Sequence, residues 1–339
     1  MSINKKLLNK TAAVAGPVGF SALTYTGNGS ALTVTGVGFH PDLVWVKDRD
    51  TAYQHNLYFN SGGTGAAGWA LEPSGTSARY TLSGLTGFNS DGFVLGSNAG
   101  NNQSSSPNIA YCWKVSDVVD DFQTNDDGNI DATYQLVSAT RGISTFTFTT
   151  PASPGSGTTV GHGLGTTPDV IIMRRTDATE DWYVYHTAMG ANEFLRLNLN
   201  NAQATATNLF GTVNSSVFCP SFTLSGNQPC IAWAMNSVAG FSKFSSYTGT
   251  GSALSVTGLG FSPNFLIIKD TDSTEQWYMF DTPRGHSKFL HCNNNNAEGT
   301  DATTRLTSFD ADGFSLGTDG AVNGSGNKYI YMAWSMNSE

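Results

Sequence analysis

The sequence predicts an all-β chain made of three tandem β-sandwich repeats, concanavalin- or jelly-roll-like, of about 95 residues each. Three observations lead there: a polar but weakly charged composition, a long segment that recurs, and strand runs of two distinct periodicities. Only 13% of the 339 residues are charged, against about 25% in an ordinary globular protein. Ser, Thr, Asn and Gly take the place of the missing charge. Lys, Glu and Arg favour helices, whereas Thr, Val, Tyr and Phe favour strands, and Gly and Asn favour the turns between them.

The repeat is read directly. Tyr25 to Asp50, YTGNGSALTVTGVGFHPDLVWVKDRD, aligns without a gap on Tyr247 to Asp272, YTGTGSALSVTGLGFSPNFLIIKDTD, at an offset of 222 residues. A third copy, GLGTTPDVIIMRRTD, runs from Gly163 to Asp177. The second and third copies stay in register further on, Trp182-Tyr183 with Trp277-Tyr278 and Phe194-Leu195 with Phe289-Leu290. DGFVLG from Asp91 matches DGFSLG from Asp312, and IAYCWK, CIAWAMN and IYMAWSMN close the three units. Self-similarity on this scale marks a repeat architecture, with units near 19–116, 145–238 and 240–338.

Each element of a unit has its own signal. ALTVTG alternates apolar and polar residues, as a strand with one face on a core does. G-x-G-F-x-P is a turn, its glycines free to take positive φ and its proline fixing the next residue. DLVWVK, DVIIMR and NFLIIK are continuous apolar runs, expected of strands buried on both faces. A W-Y-x-Y/F strand, an Asn/Ala/Thr-rich loop, an F-x-L strand and the aromatic closing strand complete the unit. Residues 117–144 hold the turn signal Asp126-Asp127-Gly128-Asn129 and read as a hairpin-like linker. Residues 1–18 begin MSINKKLLNKTAAVAG, whose apolar stretch is broken by Asn9, Lys10 and Thr11 and so does not make a secretion signal. Ile3, Leu7 and Leu8, beside Lys5, Lys6 and Lys10, suit an anchoring segment that docks on an acidic or apolar groove.

Chemistry-bearing motifs are sparse. The net charge of −9 offers no basic stripe for nucleic acid. No apolar run is long enough to span a membrane. Cys112, Cys219, Cys230 and Cys292 form no C-x-x-C pair, so no metal is expected of them, though Cys219 and Cys230 are placed to face each other across a hairpin. Asp126, Asp127, Asn129 and Asp131 offer oxygens to calcium but lack the spacing and terminal Glu of an EF-hand; an acidic hairpin turn is the expectation. The histidines make no H-x-H or H-E-x-x-H pair, and no nucleophile elbow, P-loop or dinucleotide fingerprint stands between a strand and a helix. Glu180 and Asp181 have no evident catalytic partner, so no enzyme and no cofactor are expected. Trp182 and Trp277 recur where the first copy has His55; matched recurrence favours core packing, with a sugar platform as the other reading. Trp69, in the insertion GTGAAGWALEPSGTSARYT of the first unit, is a third candidate for glycan contact.

TNDDGNID, then TVGHGLGTTPDVIIMRRTD, W-Y-V-Y-H, N-x-F-L-x-L-N-x-x-N-A and GFSKFSSYTGTGS together resemble a family of bacteriophage structural proteins common in phages of marine bacteria. The resemblance is close over about 125–339 and covers 19–116 as a diverged copy. Members often carry a laminin-G or concanavalin-like sandwich ahead of such units; it is absent here, so a sugar-binding role borne by it does not carry over. The resemblance implies a virion location and other capsid or tail proteins as partners. The expected function is a structural protein displayed on the particle, as head decoration or fibre, with a dedicated glycan-binding receptor protein as the alternative. Symmetric attachment sites suggest a homo-oligomer, a trimer being the expected number.

Overall fold

The computed structural model describes residues 16–60, 69–81, 83–190, 192–207, 209–220 and 226–337. It is all-β, and the large sheets are antiparallel throughout. The two short helices, Ala99–Asn102 and Gly320–Asn323, sit at matched places and are started by the side chains of Asn98 and Asp319. Four residues leave no room for a helical period, so the sequence carries no sign of them beyond the Asn and Asp caps.

One strand order recurs. In the first segment Phe20–Thr26, Pro107–Trp113, Leu43–Asp48 and Asn56–Phe59 lie side by side. The third segment repeats it with Ser242–Thr248, Lys328–Trp334, Phe265–Asp270 and Tyr278–Asp281, then adds Lys288–His291 and Gly299–Thr300. The second runs Ile143–Thr149, Pro229–Met235, Val170–Arg175, Tyr183–His186, Glu193–Arg196 and Ala204–Thr205. Within 117–144, Gln123–Asn125 pairs with Ala132–Ser138, which also pairs with Ile143–Thr149. That stretch therefore extends the sheet of the second segment rather than standing apart from it.

A smaller sheet covers one face of each large sheet. It comprises Leu32–Thr35, Gly92–Leu95 and Leu85–Asn89 in the first segment and Leu254–Thr257, Gly313–Leu316 and Leu306–Asp310 in the third. In the second, among the described residues, Val160–Gly161 with Val217–Phe218 takes that place. The recurring G-x-G and DGF motifs belong to one device here. The Asp91 carboxylate accepts the amides of Gly36 and Gly38 at 3.0 and 2.7 Å, and Asp312 does the same for Gly258 and Gly260 at 3.0 and 2.6 Å. A Cβ on Gly92 would lie 2.0 Å from the Val34 carbonyl oxygen, and one on Gly313 1.9 Å from that of Val256. Only glycine lets these strands approach so closely.

The continuous apolar strands divide their side chains between two cores. Val44 and Val46 join the local core under the small sheet, while Leu43 and Trp45 point to a second, shared core. Ile171 and Met173 alternate with Val170 and Ile172 in the same way, and Leu266 and Ile268 with Phe265 and Ile267. The closing strands supply Trp113, Met235 and Trp334 to the shared core. Because successive strand residues face opposite sides, a strand buried twice is apolar over most of its length, and the buried cations Lys47, Arg174 and Lys269 near its end are held by backbone carbonyls. Aromatic stacking knits the first segment to the third: Phe20 lies 5.5 Å and Tyr111 4.2 Å from the Phe265 ring, and Trp113 packs edge-on to Trp334 at 5.7 Å.

Candidate functional site

The seams between segments are built cyclically. The amide of Arg79 donates to the Thr176 carbonyl at 2.8 Å, Gln203 to Thr271 at 2.8 Å, and Glu298 to Arg49 at 2.7 Å. Thr176, Thr271 and Arg49 occupy the same place in their respective segments, two residues after the equivalent buried cations Arg174, Lys269 and Lys47. The contacts thus run from first to second, second to third and third back to first. Arg174 reaches over the seam to the Thr76 and Ser77 carbonyls at 3.0 and 2.8 Å, and Lys269 to that of Asn200 at 3.4 Å. Burial pulls the Lys47 and Lys269 ammonium groups down to about 8, opposed by the aspartate that follows each.

Trp182 and Trp277 are wholly buried and serve the same seams. The Trp182 indole Nε1 donates to the Glu72 carbonyl at 2.7 Å while its ring stacks on Trp233 at 5.1 Å. The Trp277 indole Nε1 donates to the Arg196 carbonyl at 3.0 Å. Neither ring has a face open to solvent in this packing. His55, in the first segment, accepts from Trp45 Nε1 through Nδ1 at 2.8 Å and neighbours the backbone of His291. Burial, then the charge of Lys47, holds its pKa well below the ordinary value.

An open cleft of about 440 Å³ lies on the first segment, lined by Tyr53, Gln54, Asn56, Glu72, Tyr80 and the Asn98–Gly100 stretch. That volume is within the usual range for small-ligand sites. Strand pairing assembles it from separated stretches: Asn56 starts a strand that pairs with Leu43–Asp48, and Leu57 bridges to Leu71, which sets Glu72 beside Asn56. The Tyr80 hydroxyl donates to Asn56 Oδ1 at 2.8 Å, and Ser74 Oγ donates to Gln54 Oε1 at 2.7 Å. Burial and the Glu72 carboxylate beside it hold the Tyr80 phenol protonated far above its usual range. A Cβ on Gly100 would lie 3.1 Å from Asn98 Oδ1 and 3.4 Å from Asn56 Nδ2, so glycine keeps that wall low. The lining holds one carboxylate and no cation. Such a surface can donate to and accept from an uncharged polar ligand, whereas glycoside hydrolysis generally calls for a pair of carboxylates.

The cleft stands at the end of the ladder opposite the one where the chain enters the first segment, and the Trp182–Glu72 seam runs beside it. Phe20 and Trp113 pair at one end of the ladder, and Thr26 pairs with Pro107 at the other. At the first end Asn337 Nδ2 donates to the Pro17 and Gly240 carbonyls at 3.2 and 3.1 Å, and Arg141 Nε to that of Val18 at 2.6 Å. At the second end Gly27 bonds the Ser106 carbonyl, Asn28 the Asn102 side chain, and Arg49 the Pro107 carbonyl. Seven strand residues span roughly 20 Å.

The remaining sequence candidates fall elsewhere. Ile3, Lys5, Lys6, Leu7, Leu8 and Lys10 lie outside the described residues. Trp69 opens a short strand, Trp69–Ala70, that pairs with Tyr80–Thr81 next to the cleft. The Asp126 to Asp131 turn packs on 157–160 through Asn129, whose Oδ1 accepts from the Thr159 amide at 2.7 Å. No three carboxylate, histidine or cysteine groups converge as a metal site among the described residues. Cys219 and Cys230 are buried thiols rather than a disulfide. Tyr53, Gln54, Glu72 and Tyr80 carry no motif; the first-segment insertion and His55 in place of the recurring Trp are the sequence signs that this region differs from its counterparts.

Residues 18–338 match the family described as Domain of unknown function (DUF7483). No curated protein matches the chain.

Proposed function

We propose that this chain, which belongs to the DUF7483 family, is a non-enzymatic structural protein displayed on a bacteriophage particle. On this reading it comprises three tandem β-sandwich units, at 19–116, 145–238 and 239–339, with 117–144 between the first two. The segment carrying Ile3, Lys5, Lys6, Leu7, Leu8 and Lys10 attaches to a capsid or tail protein, and the units face the host. One observation carries the reading: the chain enters its first sandwich at one end of the strands, and the open cleft stands at the opposite end of the same strands. Attachment at one end and contact at the other is the polarity a display protein needs. The phage resemblance of the repeated motifs supports the same location, and the weakly charged exterior suits a surface that meets other surfaces without charge-driven adhesion.

Deleting residues 1–16 tests the attachment. Truncated protein is expected to fold and to be missing from assembled particles; its incorporation at full occupancy would overturn the assignment of the anchor. Trimeric assembly on the particle, the expected stoichiometry, is read from the same particles by electron cryomicroscopy. A second reading, dedicated recognition of a host glycan, is favoured by the cleft and by its position on the first unit.

A further inference from the structure

We infer that the cleft formed by Tyr53, Gln54, Asn56, Glu72, Tyr80 and Gly100 binds a neutral pyranose unit of a host surface glycan. The inference rests on the glycan-recognition reading and gives it a site and a ligand class. The donor and acceptor set decides the class. The Asn56 amide is committed to Tyr80 and the Gln54 backbone carbonyl. The Gln54 and Asn98 side-chain oxygens accept from Ser74 and the Gly100 amide, so Gln54 and Asn98 offer their amide N–H donors while Glu72 offers only acceptors. Vicinal sugar hydroxyls can donate to the two carboxylate oxygens while their own lone pairs accept from the amides. Tyr53, a half-buried lining residue, provides an aromatic surface for the apolar face of the ring.

Charge excludes the neighbouring classes. A uronic or sialic acid would bring a carboxylate against Glu72 with no cation in the lining to receive it, on a protein whose net charge is already −9. A phosphate meets the same repulsion. Gly100 matters because the wall it leaves low is where a ring must pass: a Cβ there would come within 3.8 Å of Tyr53 Cβ and closer still to Asn98 and Asn56. Tyr80 is held in place by Asn56, so it shapes the floor rather than swinging with the ligand. Trp182 and Trp277 stand where the first segment has His55 and extend into the seams.

The test is binding of the full chain to neutral hexose oligosaccharides, with polyuronates and a quaternary amine as comparison probes, by glycan array and calorimetry. Neutral glycans are expected to bind, with Glu72→Gln and Tyr53→Ala each weakening affinity at least about tenfold. Glu72 accepts from Trp182 through its backbone carbonyl, and its carboxylate also acts on the seam cation Arg174. The melting temperature of Glu72→Gln is therefore measured beside its affinity, while Tyr53→Ala is expected to leave the melting temperature unchanged. Preference for polyuronates or for the amine would overturn the ligand class, and full affinity in both variants would overturn the site. Particles carrying Glu72→Gln separate this inference from the display reading. They are expected to incorporate the protein normally and to adsorb poorly. Normal adsorption would sink the cleft alone, while loss of the wild-type protein from particles would sink the display reading and leave the binding result standing.

Discussion

The Trp182 indole and the Glu72 backbone carbonyl, 110 residues apart in sequence, meet in a 2.7 Å hydrogen bond that joins the second segment to the first and backs the wall of the cleft. The same residue type does the same work between the third and second segments, where Trp277 bonds the Arg196 carbonyl. A repeated residue thus acts as a repeated clasp.

Replacing Trp182 by Phe keeps an aromatic ring but removes the indole donor, leaving the Glu72 carbonyl with the Gly75 amide alone at 3.1 Å. A loss of about 0.5–1.5 kcal/mol in unfolding free energy is expected, and Trp277→Phe should match it, since the Arg196 carbonyl keeps the Leu199 amide. Chemical denaturation of the two variants and their combination checks this. Equal and additive losses fit two independent seams, and no loss in either would show that the indoles only fill space.

Asp281 and Arg284 form a wholly buried pair at 2.6 Å, joined by the Tyr111 hydroxyl of the first segment at 2.7 Å and by Glu298 at 3.3 Å. Arg284→Met strands the aspartate and should cost about 3–5 kcal/mol. Adding Asp281→Asn should return part of that, because the buried charge goes with its partner. A double-mutant cycle from denaturation midpoints measures the coupling.

Burial holds His186 and His291 down to about 4 from an ordinary 6.5. Both are neutral in the folded state, while the unfolded chain takes up their protons. Their contribution is therefore complete above pH 6.5 and is lost as pH falls towards 4, on the order of 3 kcal/mol each. Glu298 acts in the same direction lower down: burial opposes its charge, and the Arg49 and Arg284 hydrogen bonds outweigh that. Melting temperature measured from pH 7 to pH 4 should fall steadily, and His186→Gln should flatten the upper part of the curve. A flat wild-type profile across that window would refute the assignment.

The third segment alone, residues 240–338, would expose Phe265, Ile267, Met332 and Trp334, which the intact chain buries against the other two segments. Exposed apolar area of that kind drives association. The excised segment is expected to self-associate in light scattering, with three copies able to reproduce the cyclic seam. A stable, soluble monomer would show that the shared core is dispensable.

Much of the architecture was open to reading in the chain. The matched G-x-G and DGF motifs marked real turns because Asp91 and Asp312 must cap the two glycine amides, a demand carried by residue types at definite spacing. The doubly apolar strands LVWVKD, VIIMRR and FLIIKD announced burial on both faces. The cleft was not open to reading in this way. Its residues come from 53–56, 72, 80 and 98–100, and what unites them is the pairing of Leu57 with Leu71.

The sequence by itself determined the strands, their turns and their recurrence, since period-two alternation and glycine-aspartate turns are local physics written in side chains. It also determined that the central strand of each segment has two buried faces. Which surface meets the second face only the tertiary structure decided: the other two segments, closed in a cycle through Arg79, Gln203 and Glu298. The same holds for Trp182 and Trp277, whose enclosure follows from backbone carbonyls across a seam. Every residue carries such a carbonyl, so its role as an acceptor leaves no mark in the sequence, and only folding selects which ones are used.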